Sequence, residues 1–145
     1  MLIRRMEERD LPQVAAIERS CFTQPWSEQG FRDSITLDCT LFLVAEENEQ
    51  IAGYIGMYVS FEEGEITNVA VAPDVRGKGI GQSLVQKMKE IGREKDLERI
   101  ILEVRMSNDS AIHVYENQGF TDAGIRKNFY EKPKEDARIM ICTII

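Results

Sequence analysis

Three places in this sequence carry residues whose types and spacing could do chemistry. The first is Arg76-Gly77-Lys78-Gly79-Ile80-Gly81, followed by Gln82, set between a run of strand formers and a run with helical spacing. Glycines there let the backbone approach a ligand closely, and the first turn of a helix offers free N–H groups and a positive dipole end. A phosphate or pyrophosphate is the natural guest. A Walker A loop would need Gly-Lys followed by Ser or Thr, which this segment lacks. The dinucleotide fingerprint would need glycine or alanine where Gln82 stands. A glycine-rich corner that only joins strand to helix remains the alternative, and Arg76 and Lys78 tilt the balance toward an anion.

The second place is Glu103, inside the apolar run Arg99–Arg105. Strand alternation puts Ile101, Glu103 and Arg105 on one face and Ile100, Leu102 and Val104 on the other. A carboxylate in a central strand is costly to bury, so it has a partner, a water or a task. An ion pair at the strand end, with Arg105, is the plain reading of it. The third is Tyr115, in helical phase with Ala111 and Ile112, where an apolar body is more often core than catalyst. His113, the single histidine, has no Cys or Asp pattern near it and reads as a surface side chain. Cys21, Cys39 and Cys142 share no metal-like spacing and read as reduced thiols, so no metal is expected.

These residues need elements to hold them. Leu2–Met6 reads as a short opening strand. Asp10 is placed to cap a helix running to about Ser20 on Leu11, Val14 and Ile17. Ser27 caps a second short helix, with Trp26 and Phe31 at staple positions. Thr40–Glu46 and Ile51–Ser60 form a hairpin, and Phe61-Glu62-Glu63-Gly64 turns the chain into a strand over Glu65–Ala72, ended by Pro73. Ile80, Leu84, Met88 and Ile91 line one face of a helix from about Gly79 to Lys95. The strand Arg99–Arg105 follows, then a helix capped by Ser107 or Asn108 that stops at Gly119. Strands near Phe120–Arg126 and Arg138–Ile145 close the chain, separated by a charged loop over Glu131–Asp136. The helical crossover makes Glu65–Ala72 and Arg99–Arg105 parallel neighbours, and the hairpins around them antiparallel. A mixed α/β sheet follows.

Composition sets the outer limits. The length of 145 residues fits one domain over 1–145, at roughly one domain per ~150 residues. No stretch reaches the ~18 consecutive apolar residues of a membrane span, so no membrane partner is expected. The start, Met1-Leu2-Ile3-Arg4-Arg5, lacks the apolar core of a secretory signal, which points to the cytoplasm. A formal net charge of −7 argues against direct nucleic-acid binding and suits a basic peptide, although solubility alone explains it as well.

Val69-Ala70-Val71 together with Arg76-Gly77-Lys78-Gly79-Ile80-Gly81 resembles the acetyl-CoA motif of the GNAT superfamily, written R/Q-x-x-G-x-G/A. The element order is similar along essentially the whole chain. Pro25-Trp26-Ser27-Glu28, Leu102-Glu103-Val104-Arg105 with Ser107-Asn108, Tyr115-Glu116 with Gly119-Phe120, and Arg126-Lys127-Asn128-Phe129-Tyr130 resemble the RimI-type branch. Val75 departs from the aromatic residue that many relatives carry before the Arg or Gln. The resemblance implies the GNAT fold, a mixed and mostly antiparallel sheet whose central parallel pair is splayed to admit acetyl-CoA. It implies that the backbones of Val69, Ala70 and Val71 pair with the pantetheine arm, that Gly77 to Gln82 hold the pyrophosphate, and that Asn108 reaches the pantetheine. It implies Glu103 as general base and Tyr115 as general acid. The implied acceptor is the N-terminal alanine of a small-subunit ribosomal protein. The alternatives are another GNAT activity, on a small amine, an amino acid or a lysine side chain, and a non-catalytic acyl-CoA or nucleotide-binding module.

Overall fold

The computed structural model covers Met1–Ile145 and contains seven strands and four helices in the order expected: β1 (Leu2–Arg5), α1 (Leu11–Cys21), α2 (Glu28–Ile35), β2 (Thr40–Glu47), β3 (Gln50–Ser60), β4 (Glu63–Val71), α3 (Ile80–Glu94), β5 (Arg99–Arg105), α4 (Asp109–Asn117), β6 (Thr121–Glu131) and β7 (Lys134–Thr143). One sheet contains all the strands, in the order β1-β2-β3-β4-β5-β7-β6. Only β4 and β5 run parallel, joined by α3; every other neighbouring pair is antiparallel.

Two apolar layers sandwich this sheet. Leu84, Val85 and Met88 of α3 and Ile112 of α4 pack with Ile55, Ile100, Leu102 and Met140. Leu11, Val14 and Ile17 of α1 and Phe31 of α2 pack with Phe42, Val44 and Tyr54 on the opposite face. Alternation along β5 divides as expected, with Ile100, Leu102 and Val104 buried and Ile101, Glu103 and Arg105 half-buried. At α2, Ser27 Oγ accepts the Gly30 N–H at 3.0 Å, and the Trp26 and Phe31 rings lie 5.2 Å apart.

The feature that matters most for a site is where β4 leaves β5. Their pairing runs from Glu63↔Arg99 to Ile66↔Leu102 and stops. On the other side of β4 the register jumps, with Met57 opposite Ile66 and Gly56 opposite Asn68, so Thr67 has no partner on β3. An extra residue in one strand bends it and increases its twist. The bulge at Thr67 therefore bends β4 at the residue where it parts from β5. Beyond it, Asn68–Val71 stay paired to β3 while their other edge has no ladder partner on β5.

Three expectations need correction. Asp10 does not cap α1: its carboxylate accepts two bonds from Arg4, at 2.8 and 2.9 Å, and the Glu7 N–H at 2.8 Å. Burial alone would raise this carboxyl's pKa, but Arg4 and the Glu7 amide outweigh it and hold it below the usual range. β4 begins at Glu63 rather than Glu65, because Glu63 pairs across to Ser60 and its side chain takes the Arg99 Nε–H at 3.1 Å. The charged loop over Glu131–Asp136 is instead a tight turn at Lys132-Pro133, and β6 and β7 extend into it, their charged side chains turned to solvent or paired.

Gly53 is where β3, β4 and the start of α3 meet most closely. A Cβ there would sit 2.8 Å from the Ala70 carbonyl oxygen and 3.3 Å from side-chain carbons of Ile80 and Leu84. Gly53→Ala is expected to lower stability by roughly 1–3 kcal/mol through overpacking against backbone. Urea denaturation followed by circular dichroism measures it, and an unchanged midpoint would show that the strands yield without cost.

Candidate active site

The gap between β4 and β5 has two ends with different chemistry. At the β4 end, alternate N–H and C=O groups of Val69, Ala70 and Val71 face away from β3, because a strand presents its polar groups to both sides in turn. The chain then passes through Pro73–Val75 to the glycine segment. Gly77 and Gly79 have φ of +82° and +80°, a left-handed conformation that side-chain-bearing residues rarely adopt. A Cβ on either would meet nothing within 4 Å, so the space in front of this backbone is open. Gly79 is the N-cap of α3 and supplies no side-chain cap. The amides at the start of that 15-residue helix are therefore free to bind an anion. Gly81 lies against Val71, while the Ile80 side chain is core.

The side chains around this loop are less available than their types suggest. Arg76 turns back into the fold, its Nη2 lying 3.0 Å from Cys21 Sγ and its Nε donating to the Val71 carbonyl at 3.3 Å. Gln82 Oε1 accepts from Gln118 Nε2 at 2.9 Å, tying α3 to the end of α4. Lys78 is exposed. Asn108, rather than Ser107, is the N-cap of α4, with Oδ1 accepting the Ala111 N–H at 3.3 Å, which leaves its amide N–H groups unused by the cap.

At the β5 end stands Glu103, with only 16% of its side chain exposed. Its partner is Arg126 on β6, at 3.3 Å from Oε1, and not Arg105. Arg105 is engaged elsewhere, with Glu135. Glu65 of β4 pairs with Ile101 across the parallel ladder, which places it on the same face as Glu103. Burial first, and then the neighbouring Glu103 charge, raises the Glu65 carboxyl pKa, with Arg126 pulling the other way. The acidic run Glu62-Glu63 contributes less than its sequence suggests, since Arg99 pairs with both, at 3.7 and 3.1 Å.

Tyr115 on α4 is 5% exposed, its ring 5.8 Å from that of Phe120. Burial, reinforced by nearby Tyr130, pushes its phenol well above the ordinary range. Every fully buried polar atom of the protein has a hydrogen-bond partner. The Tyr115 hydroxyl makes no hydrogen bond within the protein and is therefore not fully enclosed. Tyr130, on β6, links the two candidates. Its phenol is pushed up to about 12 by burial, with Arg105 opposing and Glu103 and Glu135 adding to the rise. The fold thus brings together Glu103 and Tyr115 with Arg126, Tyr130 and Glu65. Nothing in periodicity singles out Arg126 and Tyr130, because β6 neighbours β5 only by way of β7, which comes later in the chain.

The α1–α2 loop and the β6–β7 turn close over this end, where the Thr23 hydroxyl donates to the Lys132 carbonyl. Trp26 is fixed at the edge of the loop by its N–H bond of 3.0 Å to Glu18, a buried carboxylate that also accepts from the Tyr54 hydroxyl.

Residues 11–120 match the family model of the GNAT acetyltransferases, and this chain belongs to that family. Within it the kinship is with RimI-type ribosomal-protein alanine N-acetyltransferases. The sequence is 33% identical over 144 residues to the ribosomal protein bS18-alanine N-acetyltransferase of Escherichia coli K12, spanning 98% of this chain and 97% of that one. It is 38% identical over 143 residues to a Bacillus subtilis protein assigned the same activity provisionally, spanning 98% and 95% of the two chains. The crystal structure of the Escherichia coli ribosomal-protein-S18-alanine N-acetyltransferase superposes with a TM-score of 0.91 over 99% of this chain and 93% of that one, at 33% identity.

The two neighbours of Glu65 are expected to act on its titration with opposite signs. Glu103→Gln removes a negative charge and lowers the Glu65 pKa toward the ordinary range; Arg126→Ala removes a positive one and raises it further. Carboxyl carbon shifts followed by NMR through a pH series separate the two. Movement in the same direction for both variants would break the cluster as described.

Proposed function

We propose that residues 1–145 act as one acetyltransferase unit that transfers the acetyl group of acetyl-CoA to the N-terminal α-amine of a ribosomal protein, with alanine as the acceptor residue. The observation that carries this reading is the opening of the sheet at Thr67, with a free strand edge and open glycine cradle on one side and Glu103 on the other. Members of the family use acetyl-CoA, and the groups present fit it. The edge of Val69–Val71 suits the pantetheine amides, and the Asn108 amide N–H groups suit the same arm. The free amides from Gly77 to Gln82 suit the pyrophosphate, with Arg76, Lys78 and Ile80 contributing their backbone.

When bound, acetyl-CoA supplies the thioester carbonyl; the remaining steps belong to this chain and the acceptor. An α-amine has a pKa of ~7.7–8.0, so most of it is protonated at neutral pH and cannot attack. Arg126 occupies Oε1 of Glu103 and leaves Oε2 to take the ammonium proton, directly or through a water. The freed nitrogen forms the C–N bond, and the oxyanion that develops is stabilised by a backbone N–H near Val71. The attacking nitrogen gives up its second proton to water as the C–S bond breaks, and the departing thiolate takes a proton from Tyr115, which regains one from solvent. A phenol is protonated at neutral pH, the state a proton donor needs. No covalent enzyme intermediate is required, so Cys21, Cys39 and Cys142 have no part.

Two features support a chain terminus as acceptor: the contact of Thr23 with Lys132, which joins the α1–α2 loop to the β6–β7 turn, and the similarity to enzymes named for alanine N-acetylation. A basic second residue in the acceptor gains only a modest electrostatic preference, resting on Glu65 now that Arg99 occupies Glu62 and Glu63. An exposed pair is worth ~0–1 kcal/mol and is screened by salt.

Glu103→Gln is expected to lower kcat/KM by about two orders of magnitude at neutral pH, within the ~10²–10⁴-fold worth of a placed base, with partial recovery at higher pH. Tyr115→Phe is expected to lower kcat and leave coenzyme binding nearly intact. Steady-state rates under conditions where chemistry limits turnover check both, and wild-type turnover in either variant removes that residue from its role.

The acceptor reading is tested by comparing an Ala-Arg-initiated peptide, the same peptide with a blocked N-terminus and an added lysine, and free small amines. The unblocked peptide is expected to give the highest kcat/KM. Equal turnover of lysine or small amines would transfer the chain to the other GNAT activity.

A further inference from the structure

Arg105 is the half-buried charge that the proposed chemistry leaves without a task. It lies two residues after Glu103 and on the same face of β5. Its guanidinium lies over the Tyr130 ring, 4.3 Å from the centroid. One arm, Nη1, donates to the Pro133 carbonyl at 2.8 Å and to Glu135 Oε1 at 3.2 Å, while Nη2 donates to the Lys132 carbonyl at 3.2 Å. The other Glu135 oxygen accepts the Ser107 N–H at 2.7 Å, so the carboxylate is itself pinned to the chain after β5. The Lys132 carbonyl that Arg105 holds is the one that Thr23 reaches from the α1–α2 loop.

The hairpin so held has a break just before Tyr130. Pairing of β6 with β7 jumps from Arg126↔Ala137 to Tyr130↔Glu135, with Asn128 at φ +55° and its N–H donating to Asp136 at 2.8 Å. A bulge of this kind re-aims the side chains beyond it. Something must therefore fix the direction Tyr130 takes, and a planar fork that stacks on the ring while binding two turn carbonyls does so in one group. Lysine could supply the charge but not the fork.

We propose that Arg105 is the positioning residue of the acceptor half of the site: it sets the Tyr130 ring and the Lys132-Pro133 turn as the wall that the incoming amine meets beside Glu103. The inference rests on the acetyl-transfer reading above, and it predicts a loss confined to the acceptor.

The test measures kinetics with acetyl-CoA and an Ala-Arg-initiated peptide for wild type, Arg105→Gln, Arg105→Lys, Tyr130→Phe and the Gln/Phe double variant. Acetyl-CoA affinity by calorimetry and amide hydrogen exchange accompany it. Arg105→Gln should raise the peptide KM by about tenfold or more, since a shift of ~1 Å in a positioned group can cost up to ~10²-fold. Acetyl-CoA affinity should stay within about twofold of wild type, and Arg105→Lys should recover only part of the loss. The double variant should lose no more than Arg105→Gln alone, as expected when one residue acts through the other. Exchange at Asn128–Lys134 should accelerate while β2 and β3 stay protected. An unchanged peptide KM, a parallel loss of acetyl-CoA affinity, or losses that multiply would overturn the proposal. Should Arg105→Gln not fold, the Lys variant and its combination with Tyr130→Phe give the same comparison. Wild-type failure to turn over the peptide would overturn the acceptor reading alone. The exchange experiment needs no acceptor, and unchanged exchange at Asn128–Lys134 in Arg105→Gln would still overturn the proposal.

Discussion

The rest of the site depends on one unpaired residue in a sheet. Thr67 has no partner on β3, and at that residue β4 stops pairing with β5. Two parallel strands with regular registers would have stayed zipped along their length and left no room for a ligand. The bulge separates them while keeping each fastened on its other side, β4 to β3 and β5 to β7. The cost of the opening is a row of backbone groups without ladder partners; the Val71 carbonyl accepts from Arg76, and the others turn to water or to a guest. Close packing behind the opening holds it in place, as at Gly53, where a single added carbon would strike the Ala70 carbonyl.

The electrostatics of the cleft follow from the same separation. Glu65 and Glu103 belong to adjacent strands, and Arg126 reaches them from a strand two places further along the sheet. Two carboxylates on one half-buried face repel each other, and the guanidinium limits that repulsion without burying the pair completely. Tyr130 and Tyr115 provide an apolar border with hydroxyls. Away from the cleft, the buried carboxylates Asp10 and Glu18 are engaged by Arg4 and by Tyr54 with the Trp26 N–H, and these contacts anchor α1 and the loop that follows it.

The sequence was most legible where local rules govern. The order of elements, the parallel crossover, the caps at Ser27 and Asn108 and the glycine corner all depend on residues a few positions apart. Asp10 shows where such rules stop: it has the right residue type at a helix start, but a long-range arginine competes for its carboxylate and wins. The tight turn at Lys132-Pro133 was hidden for a related reason. A charged stretch reads as loop by composition, while its pairing is set by strands whose register depends on a bulge at Lys127–Phe129. Glu103 stood out as an anomaly, yet its partner could not be read, because strand order β5-β7-β6 brings Arg126 to it from a distant part of the chain. Resemblance to the RimI-type branch pointed to the segment containing Arg126 and Tyr130 without saying what either touches.

The open seam in the sheet also has a consequence for the life of the protein in a cell. A guest that filled the seam, as proposed for the acyl donor, would behave thermodynamically as a missing strand, present only when it is abundant. Binding to the folded chain alone adds stability as RT ln(1 + [L]/Kd), about 2.7 kcal/mol when the ligand stands at a hundred times its dissociation constant. With the acyl donor in that place, as proposed, the chain's resistance to unfolding and proteolysis would become a readout of the donor's supply, and starvation for it would shorten the protein's lifetime before it slowed the chemistry.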